Sequence, residues 1–228
     1  MIEKLLWDSD FFKYAVGKYT VEKVFDNNRF DINKKNFKLI YVYAQSKLKK
    51  CKDCNFIEQK VTLSKTLNVT PKINTNISIF NSKIDSIDEL FNLVLLSGVH
   101  SRFKTDINFK NNEFEALYKK WMTNCLSSDS DAIILVYKEN NKILGFTTVE
   151  SISKRTSKIG LIAVDENHQR KGIAKRLLNF AETISLENNC KNIEVTTQGQ
   201  NKSAMNFYEK YGFNTIFTNY IYHYWNSL

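Results

Sequence analysis

The 228-residue chain is 43% hydrophobic and 25% charged, the proportions of an ordinary globular protein long enough to bury a substantial core. Its formal charge of +9 allows an anionic partner such as nucleic acid, a membrane surface or a phosphorylated small molecule, but an abundance of Lys, Asn and Ile beside scarce Gly and Pro is also what an AT-rich genome produces. No apolar run approaches the roughly 20 residues that span a bilayer. The opening MIEKLLWDSDFFKYAVGKY interrupts its apolar residues with acids and lysines, so neither membrane insertion nor a secretory leader is expected, and the expected location is cytoplasmic.

In chain order, Leu5-Leu6-Trp7 reads as a short strand that Asp8-Ser9-Asp10 breaks, and Tyr14 to Val21 reads as extended. Phe37 to Ala44, rich in aromatic and β-branched residues, is a strand, and Val61 to Val69 another. Cys51-Lys-Asp-Cys54 has the spacing of half a zinc site or of a redox pair. Nothing in the chain completes it, so two lone thiols in a turn and no metal are expected. The single proline, Pro71, sits in a polar, turn-rich stretch that divides a small α/β lobe, residues 1–76, from a second unit, residues 77–228. That unit opens with a strand at Ile77 to Phe80. A helix capped by Asp85 or Ser86 follows, with Ile87, Leu90, Phe91, Val94 and Leu95 on one face and Gly98 at its end. After the loop HSRFKTDINF, Phe114, Leu117, Tyr118, Trp121, Met122 and Cys125 recur at helical spacing. Ala132 to Tyr137 and Ile143 to Ser151 predict an antiparallel hairpin, which Lys158 to Val164 extends. Helical periodicity returns at Ala174, Leu177, Leu178, Ala181 and Ile184. Asn192 to Thr197 then forms a strand parallel to the one ending at Val164. A last helix spans Ser203 to Tyr211 with Gly212 as its left-handed cap, and Thr215 to Trp225 alternates like a hairpin.

One of only seven glycines, Gly172, falls in DENHQRKGIAKRLL, where a strand gives way to a helix. Unpaired amides and the dipole at a helix N-terminus attract an anion. A glycine lets backbone approach that anion, and Arg170, Lys171, Lys175 and Arg176 add positive charge. The segment suits a pyrophosphate. It lacks the spacing of a P-loop or of a dinucleotide-binding turn.

Gln169-Arg170-Lys171-Gly172-Ile173-Ala174 resembles the Gln/Arg-x-x-Gly-x-Gly/Ala signature of the GNAT superfamily of N-acetyltransferases, and NKSAMNFYEKYGF, from Asn201 to Phe213, resembles that family's closing pattern. The resemblance runs from about Ile77 to the C-terminus. It implies an α/β fold with a mixed, splayed central sheet flanked by helices, and acetyl-CoA as co-substrate. It further implies that Leu161, Ile162, Ala163 and Val164 pair with the pantetheine arm, that Gln169 to Lys175 hold the pyrophosphate, and that Asn201 lies near the cofactor. Tyr208 is implied as the acid that protonates the departing thiolate. Asn201 also reads as a helix cap, and Tyr208 also reads as core.

Leu6 to Phe12 and Ser101 to Phe109 resemble one subgroup of the family, the dTDP-fucosamine acetyltransferases, which act on a dTDP-linked 4-amino-4,6-dideoxyhexose. On that resemblance Arg102, Lys104 and Asp106 are candidate acceptor-binding residues; the alternative is a solvated loop. Arg102 suits a diphosphate, while Trp7, Phe11 and Phe12 read as packing. For the general base His100, Glu150, Asp106 and a water relay stay open, and His168 reads as structural. The expected function is acetyl transfer to a nucleotide-linked amino sugar in a ternary complex. The alternatives are a protein or peptide amine as acceptor, or an acyl-CoA-binding module without catalysis. The expected partner is a small molecule; no motif points to nucleic acid, and a homodimer stays open.

Overall fold

The computed structural model describes residues 1–49, 51, 53–68 and 76–226; the expected boundary at Pro71 lies outside them. The chain runs β1 (Glu3–Lys4), α1 (Leu6–Phe12), β2 (Val16–Val21), α2 (Asn27–Asn33), β3 (Leu39–Ala44), β4 (Cys54–Thr66) and β5 (Ile77–Ile79). It continues through α3 (Ile87–Ser97), α4 (Arg102–Thr105), α5 (Glu113–Cys125), β6 (Ile133–Glu139), β7 (Lys142–Ser153) and β8 (Thr156–Val164). The last elements are α6 (Ile173–Glu187), β9 (Asn192–Gln198), α7 (Lys202–Lys210) and β10 (Asn214–Trp225).

Among the described residues ten strands form one sheet in the order β1-β2-β3-β10-β4-β9-β8-β7-β6-β5. It is mixed: β2 with β3 and β8 with β9 are parallel, the other pairs antiparallel. The strands of residues 1–76 do not make a sheet of their own, because β4 lies between β10 and β9. On one face α6 lays Ile173, Leu177, Leu178 and Ala181 onto Leu63, Ile159 and Val195. Leu177 and Leu178 are both 0% exposed, and burying each contributes roughly 1.5–3 kcal/mol. On the other face α3 and α5 pack Leu90, Val94, Phe114 and Met122 against Leu39, Tyr41, Val136 and Phe146. Ser86 caps α3 through the Glu89 amide, as its sequence predicts.

Four expectations are corrected. The segment from Leu6 is helical, because Ser9 ties it down: its Oγ donates to Leu5 O at 2.6 Å and accepts from Val16 N at 2.9 Å. The C-terminal segment is a single strand of 12 residues. A bulge at Ile216 and a second register shift beside Ile221 change its phase, and those phase changes imitate the break of a hairpin. The Ser101 to Phe109 loop contains the short helix α4. Cys51 and Cys54 are joined as a disulfide, their Cα atoms 5.5 Å apart, a spacing that a bridge accommodates.

Candidate active site

The parallel pair β8–β9 is in register from Thr156↔Asn192 to Ile159↔Val195 and then separates, although β8 continues to Val164 and β9 to Gln198. The separation begins at a bulge. Opposite β7, Thr147 pairs with Ile162 and Val149 with Ile159, so β8 carries an extra residue at Gly160–Leu161. Two threonines hold it there: Leu161 N donates to Thr148 Oγ1 at 2.9 Å, and Thr147 Oγ1 donates to Leu161 O at 3.1 Å. A Cβ on Gly160 would lie 2.7 Å from Thr148 Oγ1, so any larger residue there pushes against the hydroxyl that holds the bulge. Leu161 N and Asp165 N both donate toward β7. Strand alternation therefore turns the amides of Ile162 and Val164 into the gap beside β9.

Beyond β8 a short turn leads to α6. His168 Nδ1 and Asp165 Oδ1 are 2.6 Å apart and close that turn, a structural role as its sequence suggests. The side-chain Nε2 of Gln169 donates to Val164 O at 3.2 Å. Gly172 is left-handed, φ +82°, and no side chain caps α6. A Cβ on Gly172 would meet no atom within 4 Å, so open space lies before the free amides of the first turn. Arg170, also at positive φ, and Lys171 are exposed around it. Arg176 does not join them: its Nη1 donates to Tyr137 OH at 2.9 Å.

These parts wall a cavity of about 520 Å³. Ile162, Ala163, Val164, Gln169, Arg170 and Gly172 to Lys175 line it from β8 and α6, and Asn201, Phe207, Tyr208 and Tyr211 from α7. The end of α3 and the loop after it supply Leu96, Val99 and His100. Of the residues expected at the cofactor, only Leu161 and Lys171 are absent from the wall; Leu161 packs toward α3 and α5. Asn201 lines the cavity, and its Oδ1 accepts from Ala204 N, 3.1 Å away, as the cap of α7. Tyr208 is 3% exposed, with its ring against Phe207 and Phe213. Burial raises its phenol above the ordinary value, so it stays protonated at neutral pH.

The three acceptor candidates separate. Arg102 Nη1 pairs with Glu58 Oε1 at 3.3 Å, and its guanidinium stacks over Tyr41 and Phe103. Lys104 is exposed and pairs with Glu115. Asp106 is buried away from the cavity, accepting from Trp225 Nε1 at 2.8 Å, from Asn108 and across 2.6 Å from His223 Nδ1. Burial opposes its ionisation, but those hydrogen bonds prevail and hold its carboxyl at about 2. With its lone pairs engaged it is no general base. Gly160, Thr148, Phe207 and Tyr211 carry no local sequence signal for their place at the site.

A model of the acetyltransferase (GNAT) family matches residues 98–213. N-alpha-acetyltransferase 30 of Xenopus laevis is 37% identical over 59 residues, 26% of this chain and 22% of that protein. The uncharacterized N-acetyltransferase YhfO of Bacillus subtilis is 31% identical over 88 residues, 36% of this chain and 59% of that protein. The chain thus spans less than two thirds of the length of either relative. A functionally unknown conserved protein of Staphylococcus epidermidis superposes with a TM-score of 0.65 over 98% of this chain and 91% of that one, at 13% identity. A GCN5-related N-acetyltransferase of Kribbella flavida gives 0.55 over 92% and 80%, at 9% identity. These two likenesses bear on the fold alone. With a family model over half its length and the splayed sheet, bulge and uncapped helix described above, the chain belongs to the acetyltransferase (GNAT) family.

Proposed function

We propose that this chain is an enzyme that moves an acetyl group from acetyl-CoA to a primary amine by direct attack in a ternary complex. The observation that carries the reading is the uncapped N-terminus of α6, with left-handed Gly172, opening onto the gap between β8 and β9. The free amides at Gly172 to Lys175 suit the pyrophosphate, and the gap-facing groups of Ile162 and Val164 suit the amide-bearing pantetheine arm. The amine nitrogen attacks the thioester carbonyl, a C–N bond forms, and the C–S bond breaks. Tyr208 supplies the proton that the departing thiolate takes. Burial without a charged neighbour keeps that proton on the phenol until a base forms beside it. The amine's own proton leaves to a water or to His100, which lines the cavity.

The acceptor in this reading is a nucleotide-linked amino sugar, supported by the resemblance of Leu6 to Phe12 and Ser101 to Phe109 to the dTDP-amino-sugar subgroup. The short match to an N-alpha-acetyltransferase is the observation favouring the second acceptor, a protein or peptide amine. Free-thiol release from acetyl-CoA, measured over nucleotide-linked amino sugars, simple amines and peptides, tests both. Turnover with the sugars and none with peptides supports the first; the reverse supports the second. No thiol release with any amine refutes acetyl transfer.

A further inference from the structure

A second pocket, about 670 Å³, lies on the face of the sheet that carries α4. It crosses β2, β3, β10 and β4, so its floor comes from elements outside the stretch that the family model matches, apart from Arg102. It adjoins the cavity described above. Lys60, in its wall, pairs in register with Gln198 at the end of β9, beside the gap. Arg102 lines this pocket and His100, two residues earlier, lines the other, so one short loop walls both.

The pocket is shaped by a specific irregularity. Thr215 pairs with Leu63, which belongs to the α6 side, and the bulge at Ile216 lets Phe217 pair with Thr62 instead of following Thr215. Without it Phe217 and Asn219 would face away from the pocket they now line. Phe217 remains 45% exposed there, a large ring facing open space.

Its charges are unevenly satisfied. Arg102 is neutralised by Glu58, whose carboxylate accepts from its guanidinium at 3.3 Å and from its backbone amide at 3.2 Å. Glu58 therefore holds it in the pocket wall, its Nε buried and without a hydrogen-bond partner among the described residues. Lys60 and Lys18 form no ion pair among the described residues, and the Lys18 ammonium rests 5.5 Å from the Tyr43 ring centre. Burial, then Arg102 and other nearby cations, lower the Lys60 ammonium from its ordinary value; an anion beside it would relieve that. The lining carboxyls are Asp8, which burial raises, and Glu22 at the outer end. Tyr41 is 0% exposed, and its hydroxyl reaches the Asp8 carboxylate, where it works against the effect of burial.

We propose that this pocket holds the acceptor, and that the acceptor carries an anionic group, phosphate or carboxylate, bound by Lys60 and Lys18 with its body against Tyr43 and Phe217. The assignment rests on the acetyl-transfer reading above and deepens it. Calorimetric titration with thymidine diphosphate, and separately with L-glutamate, tests it. One of the two binds the wild type: the nucleotide if the anion is a phosphate, the amino acid if it is a carboxylate. Lys60→Gln weakens that binding by at least about tenfold, the loss of one charge-assisted contact, Lys18→Gln weakens it less, and acetyl-CoA affinity holds in both. Failure of both probes to bind at millimolar concentration, or undiminished binding in both variants, overturns the assignment. A wild type that binds a probe but not acetyl-CoA removes the acetyl-transfer reading, and the acceptor role with it.

Discussion

The bulge at Gly160 predicts a strong, specific coupling with Thr148. In Gly160→Ala the new methyl group lies 2.7 Å from Thr148 Oγ1, closer than packed atoms tolerate. Thr148 is buried, 3% exposed, and β-branched, so its χ1 has few alternatives. Overpacking of this kind costs about 1–3 kcal/mol. If the hydroxyl turns aside instead, Leu161 N loses its acceptor at a similar cost of about 1–3 kcal/mol. Thr148→Ala alone leaves that same amide unpaired and should cost a comparable amount. The double variant is the informative one. Once Oγ1 is gone, the next atom near the added methyl is the Cβ of residue 148, at 4.0 Å, an ordinary contact. Gly160→Ala should then add almost nothing to Thr148→Ala, a non-additivity of about 2 kcal/mol. Urea unfolding of the wild type and three variants, analysed at a common m-value, measures it. Additive losses within about 0.5 kcal/mol would refute the contact and the bulge geometry built on it.

Tyr208→Phe keeps the ring packed against Phe207 and Phe213 and deletes only the proton donor; turnover should fall roughly 100-fold or more while melting temperature and acetyl-CoA affinity hardly move, and near-normal turnover would leave Tyr208 as core alone. Asp106, held at about 2 by His223, Asn108 and Trp225, has a folded value below its unfolded one of about 3.9. Its stabilising contribution is therefore complete above that unfolded value and disappears as pH falls from about 4 through 2, on the order of 2 kcal/mol. Urea midpoints should drop across that window in the wild type, and by less in Asp106→Asn, which starts less stable; equal pH slopes would contradict the assignment.

The sequence disclosed the parts of the site that depend on neighbours along the chain. Val164, the turn and Gly172 follow one another within ten residues, and a strand–glycine–helix succession has few uses besides holding an anion. The periodicity of α3, α5 and α6 fixed their buried faces because each helix meets the sheet along one stripe. What remained hidden depends on neighbours across the sheet. Gly160 looks like any strand glycine until Thr148 on β7 is seen above it. Asp106 sits in a polar loop and looks like a surface acid, yet its partners His223 and Trp225 follow more than a hundred residues later. The polar half of β4, from Cys54 to Lys60, lacks a strand pattern because pairing with β10, and not burial of one face, holds it in place. Lys60 went unmarked for the same reason. The α1 segment misled because Asp8-Ser9-Asp10 reads as a breaker, whereas Ser9 closes the helix onto β2.

The central claim is that the free amides at Gly172 and the gap after Ile159 receive acetyl-CoA, and equilibrium titration of the wild type and Gly172→Val with acetyl-CoA tests it most directly. The wild type should bind one equivalent. In Gly172→Val a β-branched residue must adopt a left-handed backbone that it strongly disfavours and must fill the open space before the α6 amides. Its affinity should fall at least several-fold, while circular dichroism and the urea midpoint verify that it remains folded. A folded Gly172→Val protein that binds acetyl-CoA as tightly as the wild type, or a wild type that does not bind it, would contradict the account.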